Sequence, residues 1–235
     1  AMDVVTYTRN GSTETISGLG FITNLAWGKQ RNTSRNHQLV DTVRGATKDL
    51  RSNTTAAEAT TSTGLTAFTS DGFTLGGDAG YNQSSGTYVG WAWDGGTSTA
   101  TNTDGSITSQ VRANPSAGFS IVTYTGNLSS AGVSSVGHGL NAAPSLVITK
   151  RRDGTSDWCV QHISTSNASD ILFLNRTDAT LSTSAYGTLS RPTSTVFSAN
   201  YITGLNVNGH THVAYCFALV AGYSSFGSFV ASSST

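Results

Sequence analysis

Tyr88-Val89-Gly90-Trp91-Ala92-Trp93 and His212-Val213-Ala214-Tyr215-Cys216-Phe217 are the two stretches whose reading decides the fold. Each alternates with period two, the mark of a β-strand whose successive side chains point to opposite faces. Val89, Trp91 and Trp93 share one face, as do Val213, Tyr215 and Phe217, so the recurring large apolar face is expected to be the buried one. The other face carries Tyr88, Gly90 and Ala92, against His212, Ala214 and Cys216. Its small residues imply the close approach of another layer.

Outward from this pair, matching blocks recur in the same order. Val4-Val5-Thr6-Tyr7-Thr8 matches Ile121-Val122-Thr123-Tyr124-Thr125. The segment Leu25 to Arg31 matches Leu146 to Arg152, and the segment Leu50 to Thr55 matches Leu172 to Thr177. Gly72-Phe73-Thr74 falls opposite Val196-Phe197-Ser198, and Gly80-Tyr81-Asn82 opposite Gly204-Leu205-Asn206. A period this long implies duplicated domains or half-domains rather than a solenoid. The expected organisation is a first β repeat over 1–96, a connector over 97–118 with one short strand around Ile107 to Val111, and a second repeat over 119–222. A tail over 223–235 reads as a strand or linker leading to a further domain. Asn10-Gly11, Asp71-Gly72, Asp104-Gly105, Asp153-Gly154 and Asn208-Gly209 are good turn formers between strands. The one helix-like stretch is Thr54 to Thr60. The pattern predicts an all-β chain of two tandem homologous β-sandwich units, jelly-roll-like and related by a pseudo-two-fold axis.

Composition narrows the function classes. Of 235 residues only 11% are charged, the formal net charge is zero and the hydrophobic fraction is 37%. Balanced charge removes the electrostatic footprint of a nucleic-acid binder. No apolar run is long enough to span a bilayer, so no membrane insertion is expected. Ala1-Met2-Asp3 reads as a cloning junction.

No catalytic constellation stands out, and neither an enzyme activity nor a cofactor is expected. Ser is too abundant for a search for a Ser-His-Asp triad to mean anything. The 13 acidic residues give no obvious glycosidase pair. His210 and His212 share a strand face, a spacing that metal sites use, with His162 as a conceivable third ligand; a polar strand face explains them equally. Cys159 and Cys216 would pair only if their strands are neighbours, and otherwise are buried thiols. Lys29/Arg31 and Lys150/Arg152 read as basic groups at solvated strand ends. For sugar binding, an aromatic ring with Asn, Asp or Arg neighbours is the usual device. Trp158 is the leading candidate because its first-repeat counterpart is His37, although packing beside Val160 would also account for it. Tyr81 beside Asn82 follows, and then His162, His210 and His212.

Val-Val-Thr-Tyr-Thr (4–8), Gly-Leu-Gly-Phe (18–21), Asp41-Thr42-Val43-Arg44-Gly45-Ala46-Thr47-Lys48, Ser52-Asn53-Thr54-Thr55-Ala56, Asp71-Gly72-Phe73-Thr74-Leu75 and Gly222-Tyr223-Ser224-Ser225-Phe226-Gly227-Ser228 resemble a duplicated module of tailed-bacteriophage structural proteins. In that setting the module often precedes a concanavalin-A-like sandwich. The resemblance implies a tail-fibre-type virion appendage that bears or spaces a host-adhesion function, with other virion proteins and a host-surface glycan as partners. It also implies a homo-oligomer, a trimer by analogy. The alternative is a carbohydrate-binding module of a polysaccharide-degrading enzyme.

Overall fold

The computed structural model describes residues 1–230. Among the described residues, nineteen strands, one single-turn α-helix and two 3-10 turns follow one another. The first half holds β1 (Met2–Thr8), β2 (Glu14–Ile16), β3 (Leu25–Gln30), β4 (Gln38–Asp41), β5 (Lys48–Arg51), β6 (Ala59–Thr60), β7 (Leu65–Thr69), β8 (Gly72–Leu75), α1 (Ala79–Asn82) and β9 (Thr87–Trp93). The second holds β10 (Thr99–Asn102), β11 (Ser109–Asn114), β12 (Phe119–Thr125), β13 (Val133–Gly137), β14 (Pro144–Arg151), β15 (Trp158–His162), β16 (Asp170–Phe173), β17 (Leu181–Ser182), β18 (Val196–Asn200) and β19 (Thr211–Ala218). Two large antiparallel sheets run in the orders β1-β9-β3-β4-β5-β6 and β10-β11-β12-β19-β14-β15-β16-β17. Two small sheets, β2-β8-β7 and β13-β18, complete an all-β sandwich.

The matched sequence blocks occupy corresponding places in the large sheets, and their registers correspond. Val4 lies opposite Trp91 and Trp27 opposite Trp91 in the first. Ile121 lies opposite Tyr215 and Ile148 opposite Tyr215 in the second.

Alternation along the strands sorts the core into layers. Ala26, Val40 and Ala92 face the three-stranded sheet, where Ile16, Phe73 and Leu75 complete one cluster. Their neighbours Leu25 and Leu39 face the other way, onto Phe119, Ile121, Ile148, Val213 and Tyr215 of the eight-stranded sheet. Val122, Val147 and Ala214 in turn face Val136 and Phe197 of the β13-β18 pair. The result is four layers, with the two large sheets face to face in the middle.

This stacking corrects the reading of the first deciding strand. Tyr88 and Ala92 are fully buried, while Val89, Trp91 and Trp93 are only half-buried. The small residues do admit another layer: a Cβ on Gly90 would touch Phe73 at 3.4 Å. The large face packs on the second sheet only toward the strand's C-terminal end, where Trp93 meets Phe119 and Phe217 at ring separations of 6.1 Å. In the second stretch Val213 and Tyr215 are buried as expected.

Two further expectations change. Residues 97–118 form β10 and β11, and β11 pairs along its length with β12, extending the second sheet. The Thr54 to Thr60 stretch is an extended strap ending in β6 rather than a helix. Its Ala residues lose to tertiary bonding: the Glu58 N–H donates to the Arg152 carbonyl at 2.8 Å and the Thr55 carbonyl accepts from the Ser156 N–H at 2.9 Å. In the tail, residues 223–230 hold no strand, and Phe229 and Val230 are 91% and 98% exposed; residues 231–235 lie outside the described residues.

The seam between the large sheets contains a buried ionic network. The Arg44 guanidinium, with no exposed side-chain surface, meets Asp41 at 2.5 Å and Glu58 at 3.0 Å. It also donates to the carbonyls of Leu39 and Lys48, both at 2.9 Å. The Tyr215 hydroxyl of the second sheet donates to Asp41 at 2.8 Å, and Arg152 grips Glu58 with two bonds of 2.9 and 3.0 Å. Burial opposes the Arg44 charge, but Asp41, Tyr215 and Glu58 outweigh it and hold the group more basic than usual. The Glu58 carboxyl is likewise held low, because Arg152 and Arg44 outweigh its burial.

Candidate functional site

The residues that the sequence nominates for binding are mostly inside. Trp158 is 0% exposed, a wedge between the large sheets whose indole Nε1 donates across the seam to the Arg51 carbonyl at 3.0 Å. Its ring is not presented to a ligand. Tyr81 is buried with its hydroxyl on Asp49 at 2.7 Å. Asn82, also buried, fastens the carbonyls of Ser12 and Gly76. His162 is half-buried and accepts from the Ser164 N–H at 3.1 Å, at the far end of β15 from Trp158.

His210 lies 3.4 Å from Asp153, whereas His212 is buried and stacked on Tyr124 at 5.1 Å. Among the described residues no group of three or more His, Cys, Asp or Glu is placed to hold a metal. Nor is any helix among them long and apolar enough to cross a membrane. Both cysteines are free and buried, with thiols pushed up to about 12 by burial, so neither is a ready nucleophile. The two lysines expected at solvated strand ends are engaged: Lys29 reaches the Thr33 carbonyl at 3.1 Å. Lys150 is 0% exposed, bonds the Arg151 carbonyl at 2.8 Å and has its amine lowered to about 8 by burial.

His212 makes acid stability predictable. Burial lowers its imidazole from 6.5 to about 4, and Nε2, 3.3 Å from the Thr203 carbonyl, is the only ring nitrogen with a partner. Between those two values the unfolded chain binds a proton that the native state does not. Stability is therefore full above about pH 6.5 and falls as the pH drops to about 4, with a loss of about 3 kcal/mol from this group. Urea midpoints measured across that range should show a shallower pH slope for His212→Gln. Some slope should remain, because burial also lowers His138.

Among the described residues, an open groove of about 650 Å³ lies at one end of the second half. Phe173 closes β16, Leu181 starts β17, and Tyr186 ends a 3-10 turn over Ser184–Tyr186. Tyr201, Ile202 and Gly204 come from the loop after β18, and Thr55 comes from the first-half strap. Asp157 and Arg176 form the polar wall. Asp157 Oδ1 accepts from Asn175 at 2.8 Å and from Arg176 Nε at 3.1 Å, and Oδ2 lies 3.1 Å from Arg176 Nη2. Arg176 Nη1 lies 3.4 Å from Asp178, and the guanidinium covers the Phe173 ring at 4.6 Å.

The aromatic wall is held by the backbone. The Tyr186 carbonyl accepts from Gly132 at 3.0 Å and Tyr201 at 3.2 Å, leaving a ring in a residue that is 47% exposed. Buried Asn200 pins the same loop through the Thr183 carbonyl at 3.0 Å and the Gly187 carbonyl at 2.8 Å. Gly204 is needed where the loop crosses β15, since a Cβ there would stand 2.4 Å from the Cys159 sulfur.

None of these groove residues is among those nominated from sequence. One signal was present: aligned on Gly80 and Gly204, Tyr201 falls opposite Gly77, so its aromatic ring has no counterpart in the first half.

Searches of curated proteins and of solved structures gave no match. The family model described as Domain of unknown function (DUF7483) matches residues 1–235, and the chain therefore belongs to that family.

Proposed function

We propose that this chain is a structural and adhesive module of a tailed-bacteriophage appendage, built from two copies of one β unit, and that its groove contacts a host-surface glycan. The appendage setting rests on the resemblance of its sequence phrases to that module; the shared strand order and register of the two large sheets support the duplication. The observation that carries the glycan reading is the groove's composition. Two tyrosines, from the 3-10 turn and from the loop after β18, line the groove together with a carboxylate–guanidinium pair, a composition that stacks on a sugar's apolar face and bonds its hydroxyls. A seam closed by Arg44, Glu58 and Arg152 suits a spacer that must transmit force without unfolding.

Affinity electrophoresis through gels carrying purified bacterial lipopolysaccharides and capsular polysaccharides tests the reading. At least one should retard the protein. The double change Tyr186→Ala with Tyr201→Ala should weaken that retardation about tenfold, the loss of two stacking contacts, with thermal unfolding unchanged. Retardation by none of the polysaccharides would leave a spacer without adhesive function. Selective retardation by plant cell-wall polysaccharides would favour a module of a polysaccharide-degrading enzyme.

A further inference from the structure

The geometry points to a ligand class for the groove: a neutral sugar bearing an acetamido group, to the exclusion of acidic sugars. This inference rests on the glycan reading above and deepens it.

The first argument is charge. Arg176 is the one cation among the residues lining the groove, and it is already paired: Asp157 meets its Nε and Nη2 at 3.1 Å, and Asp178 lies 3.4 Å from its Nη1. Its face is taken as well, by the Phe173 ring. In the lining Asp157 compensates Arg176, and Asp178 beside it adds a further carboxylate outside the groove, so the wall presents no net positive charge. A uronic or sialic acid carboxylate entering there would meet no uncompensated cation and would have to compete with Asp157 for Arg176. The buried Lys150 does not change this, since its ammonium is turned to the carbonyls of Arg151 and Thr55.

The second argument is the distribution of apolar surface. Beyond the two tyrosines, the groove offers Leu181, 47% exposed, and the half-buried Ile202 and Val207. A plain hexose presents hydroxyls in almost every direction and would leave some of them unbonded against these side chains. An acetamido group matches both surfaces: its methyl covers apolar side chains, and its N–H is a donor for a carboxylate such as Asp157, whose side chain is 24% exposed.

Ligand-observed saturation-transfer NMR and titration with three oligosaccharides separate the outcomes. Tri-N-acetylchitotriose should bind. Cellotriose, which lacks the acetamido groups, should bind about tenfold more weakly or worse, and trigalacturonate should show no saturable binding. Ile202→Ala should lower affinity for the acetylated trimer by a larger factor than affinity for cellotriose. Equal binding of cellotriose overturns the acetamido assignment, and binding of trigalacturonate overturns the charge argument. If all three are silent while a polysaccharide from the electrophoresis panel still binds through Tyr186, the ligand class is wrong and the groove reading stands. Silence in both experiments removes the groove reading itself.

Discussion

Arg44→Ala should cost about 3–5 kcal/mol of folding stability, the typical penalty for removing one partner of a buried ion pair. The guanidinium joins Asp41, Glu58, two backbone carbonyls and the Tyr215 hydroxyl in a seam where neither Arg44 nor Asp41 has exposed side-chain surface. Without it, Asp41 keeps the N–H groups of Val43 and Arg44 and the Tyr215 hydroxyl, but no positive charge. Arg44→Lys should recover little, because one ammonium cannot replace a fork of donors bonded in several directions. Tyr215→Phe should cost less, about 1–2 kcal/mol, since it removes a neutral donor from a carboxylate that retains its cation. Urea denaturation of the three variants measures the order. A loss below about 1 kcal/mol for Arg44→Ala would show that the sheets hold together through apolar contact alone.

Trp158→Ala should be destabilising by about 3–5 kcal/mol, because the indole is wholly buried between the large sheets and the backbone on either side cannot collapse into the space. The lost Nε1 donor to the Arg51 carbonyl leaves a buried acceptor with one partner fewer. The same variant, assayed below its unfolding temperature, should retain glycan binding, since Trp158 does not line the groove. A variant with intact stability and abolished binding would return Trp158 to the ligand role that the sequence suggested for it.

The way the sequence misleads at Trp158 and succeeds at Val213 has one cause. Alternation states which residues share a face, and it holds in β3 and β15: Leu25 and Trp27 lie on one side of β3 and Ala26 on the other, and Trp158 and Val160 are parted from Cys159. It does not state how much of that face another layer covers. In a two-layer sandwich each sheet would have one wet face. Here the large sheets have a layer on both sides, so small-residue faces such as Gly90 and Ala92 are the more fully buried ones, while Trp91 and Val89 stand where the second sheet no longer reaches. The absence of a matching aromatic at His37 suggested that Trp158 was free for function. In fact the two positions do different structural jobs, His37 accepting the Trp27 indole N–H at 3.1 Å while Trp158 fills the seam.

Local sequence by itself therefore pointed to the all-β class and to most of the strands and turns, because these depend on period-two patterning and on residues with fixed backbone preferences. Tertiary structure alone decided the rest. The extended strap at Thr54 to Thr60 exists because Arg152 and Ser156, between β14 and β15, take its backbone groups, against the preference of its alanines. The groove exists because loops far apart in the chain, at Asp157, Arg176, Tyr186 and Tyr201, end at one place. A polar loop residue acquires chemistry only from the neighbours that folding brings to it, and no spacing along the chain encodes those neighbours.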